Sequence, residues 1–558
     1  LQVKNSRGRL HVVSSVFEAN ENDGVEMNTM KGPAEFESVN SSKNQASGIA
    51  INIGTFSFQM TESRTEDNSN QGLFITNQLN STINISNTHF SRNKGGHGIY
   101  MRDFSEDCQI QLSNIWSLEN GWHGAWFQSV TASSFEVTSS LLDRNSRSGM
   151  YLEKLTTERL NLKNVSTSKN YNYGLIIERG VTSAIMDSWY SIGNQYDGLN
   201  LKRQEGKVSV KHCVVHSNKK NGLLFTDGAN ARLQSVQLKN CHVSENSEYG
   251  FWFDINTAFS NYQDNYTIAV SNSIISNNTL GGCRLSPMSC YWKVFSLHRR
   301  VELLFDGNVV RENHKFGLLV DGPEWYEAKA VLANNTFEEN IGFAIKIAYK
   351  NFSYSVCKVF NSFPVRVQIL ANIFRKNKGE YTCLIDYNTL PTKRQVIISN
   401  NWFLENQEIK SFSSSGIRTE TQAVIAVTEG NITVEHNSFD NPLFPHDFAI
   451  FFKDQDRVIL ARENWWGTRD ECKVKERIFD FEDRVELPRI QYYPFLLSRN
   501  STSAYVHSGF RPSCFVRGNK IAGILDETIS IKNDFSPYQV IGDVIVQPRG
   551  VLTIEHGV

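Results

Sequence analysis

Asn145-Ser146-Arg147-Ser148-Gly149-Met150-Tyr151-Leu152 is followed 25 residues later by Asn170-Tyr171-Asn172-Tyr173-Gly174-Leu175-Ile176-Ile177. The shared frame is an asparagine, three variable residues, a glycine, and an apolar–variable–apolar triplet. Outward from this pair the glycine recurs at Gly24, Gly48, Gly72, Gly98, Gly124, Gly198, Gly222, Gly250, Gly282 and Gly317. The first eight intervals are 24, 24, 26, 26, 25, 25, 24 and 24 residues, and the last three widen to 28, 32 and 35. An asparagine stands four residues before the glycine at Asn20, Asn44, Asn68, Asn120, Asn145, Asn170, Asn194, Asn218, Asn246, Asn278 and Asn313. In the remaining copy it is Asn93, one residue further away.

Leu73/Ile75, Ile99/Met101 and Leu223/Phe225 show the period-2 alternation of a strand. A unit of ~25 residues is too short for a four-stranded propeller blade and lacks the helical period of tetratricopeptide or ankyrin repeats. It suits one turn of a parallel β-helix, where each strand pairs with its equivalent one turn on. Right-handed coiling is the rule for such connections. Glycine would serve a corner where a side chain clashes or φ is positive. Asparagine would hydrogen-bond along the stack, so Asn120, Asn145, Asn170, Asn194 and Asn218 are expected to form a structural ladder. The 54 asparagines of the chain, a type depleted in ordinary strands, are thereby explained.

Past Gly317 the pattern is looser. Asn335-Thr336-Phe337, Asn372-Ile373-Phe374, Asn401-Trp402-Phe403 and Asn437-Ser438-Phe439 each read as the start of a turn. Insertions are expected at about 254–268, 286–303, 348–366 and 411–422. An open strand edge invites pairing with another chain, and Trp465 and Trp466 offer two indoles to close it. The expected class is all-β, a right-handed parallel β-helix of ~25-residue turns with a C-terminal cap and the start of a second β-helix. The boundaries read 1–470 for the repeats, 471–496 for the capping helix or segment, 497–535 for an irregular linker and 536–558 for the truncated second rod.

Composition supports this and narrows function. The chain has 558 residues, where one compact core usually holds ~100–200. A repeat grows in one dimension and escapes that limit. Fifty-seven Lys+Arg against 58 Asp+Glu argue against an electrostatic nucleic-acid binder. No window offers the ~20 apolar residues of a membrane span. The start at Leu1 and the strand-like end at Val558 both read as cuts from a longer polypeptide.

The segment from Asn464-Trp465-Trp466-Gly467 to Asp483, the Tyr492-Tyr493-Pro494-Phe495-Leu496 run and the restart from Pro537 to Val558, together with the Asn/Gly turns, resemble the Bark beetle/Anakonda family. That resemblance covers most of the chain. It implies a region of a large single-pass membrane protein of invertebrate epithelia, with several β-helix regions beside CUB, scavenger-receptor cysteine-rich and lectin-like modules. It also implies a place at tricellular junctions, where the epithelial barrier is sealed. No such additional module is visible in this chain.

Sequons for N-glycosylation occur at Asn40, Asn80, Asn84, Asn164, Asn265, Asn351, Asn431 and Asn500. Two more, at Asn277 and Asn334, sit near turn positions expected to face inward. Nine cysteines leave one over. Cys357 and Cys383 could staple an insertion, Cys283 and Cys290 could close a small loop, and Cys472 could tie the cap to Cys514. Cys213 and Cys241 fall at equivalent places in neighbouring turns, as a disulfide or as two buried thiols. Cys108 has no evident mate, and no zinc spacing appears.

Gly96-His97-Gly98 matches one element of polygalacturonases, but no paired-Asp motif accompanies it. Gly98 reads as the repeat glycine and His97 as a corner residue. No cofactor or metal is expected. Between the two inward positions of each strand the outward residue reads Phe74, Tyr100, Trp126, Tyr151, Ile176, Asn200, Leu224 and Trp252. Such an apolar stripe would be covered by another part of the chain, dock a protein partner, or form a sugar-stacking platform. The partner-binding residues expected are Phe74, Tyr100, Trp126, Tyr151 and Trp252. The function expected is a non-catalytic extracellular region of a junction protein, working through other junction or adhesion proteins or its own kind. The rival is a polysaccharide-active or carbohydrate-binding β-helix.

Overall fold

The structure, a computed structural model, describes residues 1–180, 183–227, 232–255, 266–287, 300–321, 327–349, 365–387, 394–409, 421–499 and 514–558. Most of the expected insertions fall outside these residues. Two compact units divide the chain, Leu1–Leu304 and Phe305–Val558. Both are built almost wholly of parallel strands, which form about 18 solenoid turns among the described residues.

In the first unit the pattern of one turn is Val25–Met30, Ala34–Glu37 and Asn40–Ser42. The next turn repeats it as Ile49–Gly54, Ser57–Thr61 and Arg64–Glu66, each strand paired in parallel with its predecessor. The first strand of every turn follows the repeat glycine. Its alternation is obeyed: Leu73, Ile75, Ile99 and Met101 are fully buried and point into the coil. Inward side chains thus stack on their own kind one turn away.

The asparagine ladder forms as expected. The Oδ1 of Asn145 accepts from both the backbone N–H and the Nδ2 of Asn120, each at 3.0 Å, and Asn170 does the same for Asn145. The Nδ2 of Asn145 also donates to the Ser117 carbonyl at 3.1 Å. The chain of amides runs unbroken from Asn20 to Asn278, through Asn170, Asn194 and Asn218, and the displaced Asn93 keeps its links to Asn68 and Asn120. Each amide therefore satisfies backbone groups that the corner would leave unpaired.

The repeat glycine is required by crowding. A Cβ on Gly124 would lie 2.6 Å from the Gly149 carbonyl oxygen and 2.8 Å from the Asn145 amide nitrogen. Positive φ falls elsewhere, on the residue before the ladder asparagine, as at Lys43, Arg92, Glu119 and Arg144.

The second unit keeps this ladder through Asn313, Asn340, Asn377, Asn406 and Asn441. It adds another through Asn308, Asn335, Asn372, Asn401, Asn437 and Asn464, the first four standing five residues before their counterparts and Asn437 four before Asn441. The Asn-x-Phe motifs read as turn starts are this second corner. Beside it the rings of Phe337, Phe374, Phe403, Phe439 and Trp466 stack in the core at 5.2, 4.7, 5.1 and 4.9 Å. Trp466 is buried and ends that stack, as expected of a capping indole, while Trp465 is half-buried.

The capping helix is Glu471–Glu476, with Asp470 accepting from the Cys472 N–H at its start. Glu471 takes hydrogen bonds from the Tyr492 and Tyr493 hydroxyls at 3.0 and 2.8 Å. Arg477 grips the buried Asp447 with two bonds of 2.8 Å. The linker expected over 497–535 contains strands Lys520–Leu525 and Thr528–Ile531, which pair with Gln539–Val546 and Val551–Ile554. Parallel coiling thus resumes before residue 536, around a core of Phe515, Ile521, Leu525 and Ile531. Among the described residues no helix is long and apolar enough to cross a membrane.

Cys472 and Cys514 are joined, with Cα atoms 5.2 Å apart. Cys283 and Cys383 are free and fully buried, in place of the staples to Cys290 and Cys357, which lie outside the described residues. Both sit at inward positions, Cys283 in register with Phe251 and Cys383 with Ile345, so their sulfurs face the core. Cys213 and Cys241 are the buried-thiol alternative; the Cys241 thiol donates to the Val210 and Lys239 carbonyls, and burial pushes Cys213 well above its ordinary range.

Candidate functional site

The outward residues of the first strands fall into register turn by turn, Phe74 with Tyr100, Tyr100 with Trp126, Trp126 with Tyr151, and on through Ile176, Asn200 and Leu224 to Trp252. The stripe exists, but it is far less open than expected. Tyr100, Ile176 and Asn200 are buried, and Phe74, Trp126, Tyr151, Leu224 and Trp252 are half-buried. The reason is stacking along the axis. Phe74 and Tyr100 stack at 5.3 Å, Tyr100 and Trp126 at 4.5 Å and 7°, and Trp126 and Tyr151 at 6.0 Å and 5°. From Phe74 to Tyr151 the ring faces cover one another, which leaves little of the flat surface a pyranose needs, while Trp252 meets Tyr249 edge-on and lies under Arg284.

Two polar columns flank the aromatic one. On one side the Tyr100 hydroxyl donates to Gln128 Oε1 at 2.6 Å, and Gln128 Nε2 donates to Glu153 at 3.3 Å. The Tyr151 hydroxyl donates to Glu178 at 3.0 Å, which also pairs with Lys202 at 3.1 Å. Burial and the Glu178 carboxylate hold the Tyr151 hydroxyl above its ordinary range. The carboxylates of this face are therefore spread over successive turns and tied to neighbours.

On the other side stands the residue before the repeat glycine. Here the side chain accepts the backbone N–H one turn on: Asp23 from Ser47, His97 from His123, His123 from Ser148, Asp197 from Asn221, and Asn221 from Tyr249, at 2.7 to 3.2 Å. No single residue type marks this column, and it was not foreseen. The signal was an acceptor at a fixed offset, shared by Asp, His and Asn. His97 is the corner residue expected. Burial, then the neighbouring His123 and Arg147, hold its pKa at about 3; burial and Arg147 do the same for His123. Trp122, 39% exposed, stands edge-on to His97 and carries Arg147 over its ring at 4.1 Å.

The sequons lie away from this face. Asn40, Asn80, Asn164 and Asn431 are exposed and Asn84 is half-buried, all outside the first-strand row. Asn277 and Asn334 are exposed too, at φ of 53° and 56°. They directly precede the ladder residues Asn278 and Asn335, which face inward, so each lies next to an inward-facing turn position, as expected, with its own side chain outside. Asn265, Asn351 and Asn500 lie outside the described residues. Among those residues no cluster of His, Cys, Asp or Glu is arranged to hold a metal ion.

The family described as right handed beta helix region matches residues 1–158 and 97–263. A curated relative, Protein bark beetle of Drosophila melanogaster, is 28% identical over 222 residues, 36% of this chain. The chain spans 7% of that relative's length. Among solved structures, the A-module of the Azotobacter vinelandii mannuronan C-5 epimerase AlgE6 aligns with 68% of this chain and 90% of its own at 11% identity and a TM-score of 0.33. The periplasmic alginate epimerase AlgG aligns with 68% and 77% at 11% identity and a TM-score of 0.26. Likenesses of that size extend to neither substrate nor reaction. By fold and by sequence, the chain is a right-handed parallel β-helix that resembles the Bark beetle family.

Proposed function

We propose that this chain is a non-catalytic extracellular region of a large junction protein, a stiff spacer that supports cell–cell junction assembly and the epithelial barrier. The observation that carries the reading is the commitment of the outer face. Its carboxylates, hydroxyls and imidazoles are bonded along the axis from turn to turn, which stiffens the coil, and the in-register carboxylates Glu153 and Glu178 are held by Gln128, Tyr151 and Lys202. The similarity to Protein bark beetle supports the junction setting. The Cys472–Cys514 disulfide suits an oxidising compartment, and seven exposed or half-exposed sequons suit a glycoprotein. Other junction proteins, or further copies of the same protein, would be the partners.

The test is clustering of beads coated with the purified chain, run beside a panel of polysaccharides monitored for new sugar ends. Clustering without released ends is expected. Release of oligosaccharide ends would overturn the reading in favour of a polysaccharide-active enzyme.

A further inference from the structure

Two imidazoles on the first-strand face carry more hydrogen-bonding capacity than the fold uses. His97 and His123 are 2% and 6% exposed, and their rings stack at 5.3 Å and 5°. In each, Nδ1 accepts a backbone N–H from the next turn, at 3.2 and 3.1 Å. A neutral imidazole that accepts at Nδ1 carries its proton on Nε2. Neither Nε2–H meets an acceptor of the chain among the described residues. The Trp126 ring lies 5.0 and 6.0 Å from the two imidazoles, and its Nε1–H is buried without an acceptor. Arg147, exposed above Trp122, makes no ion pair or side-chain hydrogen bond among the described residues.

Every uncommitted group in this notch is a donor, and the charge beside it is positive. The indole N–H of Trp126 is buried without a partner, which is unfavourable, while the two Nε2–H groups keep contact with solvent; together these donors are complementary to an acceptor, and Arg147 favours an anionic one. We propose that His97, His123, Trp122, Trp126 and Arg147 form a carboxylate-binding notch for an acidic side chain of a partner protein. The ring faces decide between a protein and an acidic polysaccharide. Trp126 is sandwiched between Tyr100 and Tyr151, and one face of Trp122 lies under Arg147, which leaves little open ring for a sugar. The partner's being a protein rests on the junction reading; the notch itself rests on these contacts.

The test uses the full chain with immobilised poly-L-glutamate, polygalacturonate and neutral dextran as probes. His97→Asn with His123→Asn keeps a side-chain acceptor for the backbone N–H, as Asn221 provides in the same column, and removes both outward donors. Arg147→Glu changes an exposed residue and places a carboxylate at the notch. Binding to poly-L-glutamate, weakened at least tenfold by either variant with an unchanged melting temperature, is expected. Absence of that binding, or its survival in Arg147→Glu, overturns the notch. Notch-dependent capture of polygalacturonate without poly-L-glutamate overturns the protein partner. Bead clustering by the unmodified chain is scored separately, so a failed notch and a failed junction reading give different results.

Discussion

In the unit ending at Leu304 the outward first-strand column is aromatic and half-open, flanked by histidines and an arginine. In the unit from Phe305 the same column runs Leu319, Lys346, Leu384, Ala426, Ala449 and Phe479. There Leu384, Ala426 and Ala449 are wholly buried with Tyr381, Phe479 and Leu487, because the chain after the capping helix lies across them. The interiors differ in the opposite sense. The first unit has its longest ring stack outside, with the inward pair Phe225 and Phe253 stacked in its core, and among its described residues one asparagine ladder. The second stacks Phe337 to Trp466 inside and has two ladders. Rings repeating one turn apart stack equally well on either side of the wall. Placed inside they add to the core; placed outside they hold polar neighbours in fixed positions where a partner can reach them.

That contrast can be broken at several points. Asp447→Ala leaves Arg477 buried without its carboxylate, and breaking such a pair typically costs ~3–5 kcal/mol. Hydrogen exchange should speed up in the cap and its neighbouring turns and stay unchanged near Asn145. Asn145→Ala orphans the buried Asn120 backbone N–H, while the Asn120 Nδ2 keeps the Phe90 carbonyl and the Ser117 hydroxyl, a loss of ~1–3 kcal/mol. Its increased exchange should centre on the turns of Asn120 and Asn170, since solenoid turns depend chiefly on their neighbours. Loss of protection spread evenly over both units would contradict the separation.

Acid and base should act in opposite directions on the turns of His97 and His123 and on the cap around Asp480. His97 and His123 sit at about 3 in the fold, below their ordinary value, so the unfolded chain binds more protons between there and about 6.5. Their contribution is complete above about pH 6.5 and drains as pH falls, by up to ~1.4 kcal/mol per histidine per pH unit. Asp480 in the cap is the reverse: burial, then Glu482, raise it to about 7, so its contribution is complete below its ordinary value and is lost as pH rises through 7. Exchange monitored at pH 4.5 and 7.5 should show the turns of His97 and His123 loosening on the acid side and the region around Asp480 tightening there. The smallest effect expected is from Tyr151→Phe, which removes one half-buried hydrogen bond to Glu178, ~1 kcal/mol, with no change in the cap.

Much of the fold was legible because its rule is written in residue types. A glycine whose Cβ would strike the next turn, and an asparagine that must both donate and accept, leave few substitutes, so Gly124 and Asn145 announce themselves by spacing. The second ladder was misread since its column holds Ser63, Ser140, Trp189 and Cys213 in the first unit and becomes asparagine only from Asn308 onward. The aromatic stripe was found, but its degree of burial was not, because ring-on-ring stacking is a property of neighbouring turns and not of one strand. The histidine column stayed hidden for a chemical reason: Asp, His and Asn share a lone pair and little else.

The ladder carries one consequence for how such a chain can change length. In every link the earlier turn donates and the later turn accepts, Asn120 to Asn145 as Asn145 to Asn170. A turn is thus a unit with a head and a tail, and any such unit fits between any two others. Whole turns can be duplicated or removed with every amide still satisfied, whereas half a turn, or a turn entering backwards, would leave two heads or two tails face to face. Reach is adjustable in steps of one strand spacing, ~4.8 Å, while the rules of assembly stay the same.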